Sequence, residues 1–252
     1  HERGTLIHGT TLVTNALIER KGAPTALLAT SGFRDAIEIG REHRYELYDL
    51  NLDLPKPLVP RHLRFDVPER IAADGSVLRP LDEDFVRRLV SELRDNGIRA
   101  VGISYLNSYR NPAHERRTAE IVAEVAPQIR VSLSSEVVAE IREFQRTSTT
   151  LANVYVQERV SDYLGQLETR LKTIGFLGSF FVMLSSGGIA TRDTASRFPV
   201  RLLESGPAAG ALAAAQAGML SGHRDLLSFD MGGTTAKASV IEGGRIQRSQ
   251  LV

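Results

Sequence analysis

Apolar and polar positions recur along this chain in two periods, near 3.6 and near 2, and the switches between them mark out its elements. Leu6-Ile7-His8-Gly9-Thr10-Thr11 reads as a short strand entering a turn. A helix follows with Leu12, Val13, Ala16 and Leu17 on one face and Gly22 just past its end, so Thr10 or Thr11 is the expected N-cap. Residues 23–30 read as a strand entered by Pro24, and 33–39 as a short helix. Residues 61–78 read as an antiparallel hairpin, because 63–67 alternate and Asp74-Gly75 is a turn signal. Asp82 caps a helix with Phe85, Val86, Leu89, Val90 and Leu93 on one stripe, closed by Gly97. A buried strand at 98–106 leads to Asn111-Pro112, the cap of a helix that runs to about Ala126 with Ile121, Val122 and Val125 inward, and 129–133 is again strand. This alternation predicts an α/β fold with a parallel or mixed sheet and helices packed on it.

The second half begins with a long helical pattern over 136–175 that contains a break. Inside it the polar cluster Arg142-Glu143-Phe144-Gln145-Arg146-Thr147-Ser148-Thr149-Thr150 reads as a solvated helix face, with Arg146 as the side chain able to hold an anion or an acidic partner; a subdomain boundary falls near Thr150. An apolar strand at 176–184 runs into Ser185-Ser186-Gly187-Gly188, which reads either as a plain β–α turn or as a ligand-contact loop at a sheet's carboxyl edge. Ser205-Gly206-Pro207 is the expected cap of an alanine-rich helix over 208–217. Upstream, residues 40–49 form a polar, aromatic loop carrying Arg41, Arg44 and Tyr48, which reads as a substrate or interface loop or as a solvated connection. Pro55, Pro57 and Pro60 interrupt any regular element after it.

The most chemically loaded stretch is 226–241, a strand, a tight turn and a second strand. Asp230 ends the first strand, and Gly232, Gly233, Thr234 and Thr235 make the turn. Glycines let backbone N–H groups approach a phosphate closely, the threonines add hydroxyl donors, and Asp230 is a hard oxygen ligand suited to Mg²⁺. GxxxxGK[ST] is absent, and a β-branched run rather than a helix follows the turn, so this is not a P-loop. The strand–DxGGT–strand pattern looks like the phosphate loop of actin-like ATPases, against the plain alternative of a hairpin with a Gly-Gly turn. His8-Gly9-Thr10-Thr11 likewise has two readings, a helix cap with its histidine or a polar loop that welcomes a phosphate or carbonyl oxygen.

Composition narrows the field. The chain has 252 residues, 42% hydrophobic and 24% charged, enough for one large or two small domains with a sizeable core. A net charge of +1 gives no electrostatic case for nucleic acid or an anionic membrane. No apolar run approaches a membrane span, and no signal peptide opens the chain. Cysteine is absent, which excludes thiol chemistry and fits a cytoplasmic location. Because the first residue is His1 and strands lie close to both ends, the sequence reads as a fragment of a longer protein.

Several strings in one order carry a resemblance: HGTTLVTNALIERKGA (8–23), SGFRDAIEIGRE (31–42), LYDL (47–50), PLVPRHLRFDVPERI (57–71), NPAHE (111–115), REFQRTSTT (142–150), SSGG (185–188), ESGPAAG (204–210) and FDMGGTTAK (229–237). Together they resemble the ATP-dependent hydantoinase A/5-oxoprolinase family, which includes the beta subunits of acetone and acetophenone carboxylases. The resemblance implies an actin-like, ribonuclease-H-like fold, incomplete here, with 1–150 as the family's N-terminal region and 151–252 as the start of the ATPase domain. It implies ATP and Mg²⁺ as cofactors, a small cyclic amide as substrate, and a hydantoinase B-type partner subunit or fused domain. Phosphorylation of the substrate oxygen would precede ring opening. Asp230 would then organise Mg²⁺; Gly232, Gly233, Thr234 and Thr235 would hold phosphates; Ser186, Gly187, Gly188 and Gly206 would line the nucleotide cleft. His8, Thr10 and Thr11 would lie near the transferred phosphoryl or the substrate, and Arg41, Arg44 and Tyr48 would contact substrate or partner. Two departures stand out: the family's first DxGGT loop is missing, and Lys237 stands where an acidic residue often follows the second, so Lys237 either contacts phosphate or points to solvent. Without its missing parts the fragment is expected to be inactive. The alternatives are a ketone carboxylase subunit and a non-catalytic nucleotide-binding assembly subunit.

Overall fold

Strand and helix alternate along the chain: β1 (Thr5–His8), α1 (Leu12–Ile18), β2 (Thr25–Thr30), α2 (Ala36–Ile39), β3 (Arg64–Val67), β4 (Arg70–Ile71), β5 (Val77–Arg79), α3 (Glu83–Asp95), β6 (Ala100–Ser104), α4 (Ala113–Val125), β7 (Arg130–Leu133), α5 (Ser134–Val137), α6 (Glu143–Thr173), β8 (Ser179–Met183), β9 (Ile189–Thr191), α7 (Arg192–Arg197), α8 (Ser205–Leu220), β10 (Leu226–Met231), β11 (Ala236–Glu242) and β12 (Arg245–Ile246). The computed structural model describes residues 4–41, 48–49, 51, 55–232 and 236–247. They divide into two units, Arg20–Arg159 and His1–Glu19 with Val160–Val252. Among the described residues no helix is long and apolar enough to cross a membrane.

The unit Arg20–Arg159 is built on a four-stranded parallel sheet in the order β3-β2-β6-β7. Its central strands β2 and β6 are buried at every position, as expected of a parallel sheet covered on both faces. The stripe Val86, Leu89, Val90 and Leu93 of α3 and Ile121 and Val122 of α4 close over Leu28, Val101 and Ile103. Asp82 accepts from the Phe85 N–H at 2.9 Å and so caps α3, and Gly97, at φ +74°, ends it. The expected antiparallel hairpin over 61–78 is shorter than its pattern: β3 joins the sheet parallel to β2, and only β4 and β5 pair antiparallel, around Asp74-Gly75. Alternation over four residues suits either pairing. In the parallel pairing Val67 and Arg64 are buried, and the Arg64 Nη1 meets Glu38 at 2.6 Å while its Nε donates to the Val59 carbonyl.

The helical break expected within 136–175 lies between α5 and α6, and the polar cluster 142–150 begins just before an uninterrupted 31-residue helix. That cluster is not a solvated face. Arg146 is 1% exposed, and Thr147 and Thr150 are buried beside it. Arg146 donates to the backbone carbonyls of Tyr105 (2.7 Å) and Glu140 (3.1 Å), and burial pushes its pKa down.

Among its described residues the second unit holds two three-stranded sheets. In one, β8 pairs parallel with β1 and antiparallel with β9. In the other, β10, β11 and β12 form an antiparallel meander. The registers place Leu226, Ser228 and Asp230 on one face with Ile241, Ser239 and Lys237. Against this face lies α8: Gly218 approaches Leu226 so closely that a Cβ there would meet its Cδ2 at 2.3 Å. After Ser205 at its start, its buried residues are the small Ala211, Ala215 and Gly218, which is how the alanine-rich sequence serves close packing. The opposite face exposes Leu227, Phe229, Met231 and Val240.

Candidate functional site

The loop between β1 and α1 sits against the first turn of α8. Ser205 Oγ donates to the Thr10 carbonyl (3.0 Å) and accepts from the Thr10 N–H (3.3 Å). A Cβ on Gly206 would meet Thr11 Cγ2 at 3.3 Å, so glycine is what lets the two segments approach this closely. Thr10 Oγ1 accepts from the Leu12 N–H at 3.1 Å, whereas Thr11, the residue at the N-cap position, makes no capping bond through its side chain. The capping reading of this string and its proximity to the alanine-rich helix therefore coexist.

The start of α8 differs from its expected form. Ser205, Gly206 and Pro207 are its first helical residues, and the N-cap is Glu204, in the left-handed conformation at φ 63° and without a capping side-chain bond. Its Oε1 accepts instead from Thr14 Oγ1 at 3.3 Å, and Oε2 pairs with the Lys237 ammonium. Lys237 thus does not simply point to solvent; its side chain is 20% exposed. It stands directly across the β10–β11 ladder from Asp230, which is exposed. Ser185-Ser186-Gly187-Gly188 is the turn of the β8–β9 hairpin, not a β–α turn; the Leu184 N–H donates to the Gly188 carbonyl at 2.8 Å, and Gly187 has φ +83°. Ser186, Gly187, Glu204, Pro207, Ala208 and Ser239 share the lining of one cleft of about 710 Å³.

His8 ends β1 with Nε2 at 2.9 Å from the Tyr163 hydroxyl, and burial lowers its pKa. Nε2 accepts from the phenol in one tautomer of the ring and donates to it in the other. Where the phenol donates to Nε2 the bond favours the neutral form, and Tyr163→Phe should move the His8 titration upward; where Nε2–H donates to the phenol the shift runs downward. An NMR titration of the ring reads the direction and with it the tautomer, and an absent shift would remove Tyr163 from the site.

The structure thus brings together His8, Thr10, Thr11, Gly206 and the β10–β11 hairpin bearing Asp230 within one unit, with Ser186 and Gly187 on the adjoining cleft. Gly232 is exposed at the end of the described part of the hairpin, and Gly233, Thr234 and Thr235 lie outside the described residues, as does Arg44. Arg41 and Tyr48 belong to the other unit, where the Arg41 guanidinium faces the Gln145 carboxamide and Tyr48 is 94% exposed. Sequence reasoning missed Glu204, Ser205 and Tyr163: the first two lie in the ESGPAAG string it quoted, while Tyr163 is one apolar-face residue of a long helix with nothing to single it out. Among the described residues no group of three or more His, Cys, Asp or Glu could hold a metal. Asp230 alone suits a hard cation that takes its other ligands from phosphate oxygens and water, the usual state of Mg²⁺ beside a nucleotide.

The hydantoinase/oxoprolinase N-terminal region matches residues 2–126, and the hydantoinase/oxoprolinase domain proper matches 146–251. The chain belongs to the hydantoinase/oxoprolinase family. An uncharacterized protein from Methanocaldococcus jannaschii is 44% identical over 94% of this chain and 35% of its own. The caprolactamase alpha subunit of Pseudomonas jessenii is 35% identical over 97% of this chain and 35% of its own; its crystal structure superposes with a TM-score of 0.83 at 34% identity, over 93% of this chain and 34% of that one. The nucleotide-free structure of an ATP-dependent acetone carboxylase superposes with a TM-score of 0.85 at 30% identity, over 96% of this chain and 35% of that one. The chain therefore spans about a third of the length of these relatives.

Proposed function

We propose that this chain is part of an ATP-dependent cyclic-amide hydrolase of hydantoinase, N-methylhydantoinase or 5-oxoprolinase type, and that its second unit contributes the phosphate-binding loops of an actin-like ATPase. The observation that carries this reading is the junction at the start of α8, where the β1–α1 loop, Glu204 and the hairpin of Asp230 and Lys237 are tied by side-chain bonds. An unstrained amide is a poor electrophile. ATP, with Mg²⁺, supplies a phosphoryl group that turns the substrate oxygen into a leaving group. In that reading Asp230 would hold the cation, Gly232, Gly233, Thr234 and Thr235 would supply N–H and hydroxyl donors to phosphate, and Thr10, Thr11 and His8 would orient the oxygen that receives it. Ring opening falls to a hydantoinase B-type subunit or fused domain, in a cytoplasmic assembly. A ketone carboxylase subunit is the second reading, favoured by the likeness to acetone carboxylase.

Calorimetric titration of the full-length protein with Mg-ATP, with and without hydantoin, 5-oxoproline or caprolactam, tests the proposal. Tighter nucleotide binding or new turnover with a cyclic amide is the expected result. A response confined to ketone and bicarbonate moves the assignment to the carboxylases, and no nucleotide binding overturns both readings.

A further inference from the structure

We propose that Glu204 is a positioning residue for Lys237: it holds the lysine ammonium in reserve until a nucleotide phosphate takes its place. The proposal rests on the nucleotide-binding reading above and adds to it a cationic phosphate ligand.

Three features carry it. Lys237 faces the same side of the sheet as Asp230, its direct partner across the β10–β11 ladder. Its side chain is four-fifths covered, and an ammonium so placed needs a counter-ion; Glu204 provides one. Glu204 is itself in an unusual state. A non-glycine residue adopts the left-handed conformation against its preference, and the conformation persists only where surrounding contacts fix it. The Glu204 carboxylate bonds Thr14 through one oxygen and Lys237 through the other, and makes no capping bond to α8. A triphosphate carries several charges and competes for the ammonium with a single carboxylate that is half exposed. Once Lys237 turns to phosphate, Glu204 keeps its bond to Thr14, and Asp230 across the ladder is free to serve the cation.

Mg-ATP affinity of the full-length protein tests this with a double-mutant cycle on Glu204→Gln and Lys237→Met. If Glu204 retains the ammonium nine-tenths of the time, E204Q should tighten binding about tenfold. K237M should weaken it at least about tenfold, and the double variant should behave as K237M. Tightening by E204Q that persists in the K237M background would mean simple relief of charge repulsion and would overturn the proposal, as would no change or weakening in E204Q. Thr14→Val keeps both charges, removes one anchor of Glu204, and should tighten binding about two- to threefold even if E204Q folds poorly. A wild-type protein that fails to bind Mg-ATP rejects the nucleotide reading itself, whereas normal wild-type binding with an inert E204Q rejects only the role of Glu204.

Discussion

Asp230→Ala in the full-length protein should abolish ATP turnover, by about 10³-fold or more, while leaving the fold intact. The two halves of that expectation have separate causes. Asp230 is exposed at the end of β10, so its removal leaves no cavity and strands no buried donor. Its cross-strand neighbour Lys237 keeps Glu204 as partner, so no buried charge is left unpaired. Function is another matter, because in the proposed assignment Asp230 is the carboxylate that holds the cation, and among the described residues no group of three or more His, Cys, Asp or Glu could replace it. The measurement is steady-state phosphate release with circular dichroism as the control for folding. Turnover within about tenfold of wild type would remove Asp230 from the site, and Asp230→Asn should fall nearer the alanine variant than wild type, since an amide keeps the shape and loses the charge.

Much of the first unit was legible because its helices are amphipathic and its strands are not. The stripe on α3, its Asp82 cap and its closing Gly97 repeat in structure what periodicity and capping rules require. The β2–β6 pair is legible for the opposite reason: continuous apolar runs between helices imply a strand covered on both faces. The position of β3 was not legible, since four alternating residues cannot name their partner. Nor was the cluster 142–150. A run of Arg, Gln, Ser and Thr reads as a wet surface, and only the carbonyls of Tyr105 and Glu140, brought in from elsewhere in the chain, make a dry place for Arg146. At the candidate site the strings themselves were visible, but the pairing of Glu204 with Lys237 is a tertiary fact. Sequence offered Lys237 only a choice between phosphate and solvent, and a carboxylate from the start of another element answers it.

The same polar edge of the first unit yields the largest expected loss of stability. Glu115 is fully buried on α4. Its Oε1 accepts from the Tyr105 N–H (2.9 Å) and the Ser134 hydroxyl (2.5 Å), and its Oε2 from the Ser135 N–H (2.9 Å) and hydroxyl (2.6 Å). One carboxylate thus ties the end of β6 to the β7–α5 junction, and its charge favours the protonated form of Arg146 against the burial that opposes it. Glu115→Ala removes the acceptor, stranding the buried Tyr105 N–H and Ser134 hydroxyl and freeing the part-buried Ser135 donors, a change that costs about 3–5 kcal/mol. With a urea dependence of about 2 kcal/mol/M for a unit of this size, the unfolding midpoint of that unit should fall by roughly 2 M. Glu115→Gln should lie between the two, because the carboxamide keeps one acceptor but turns an NH₂ toward one pair of donors. A fall of under about 0.5 M for the alanine variant would mean that water enters and satisfies those donors, and that Glu115 is not what holds this edge together.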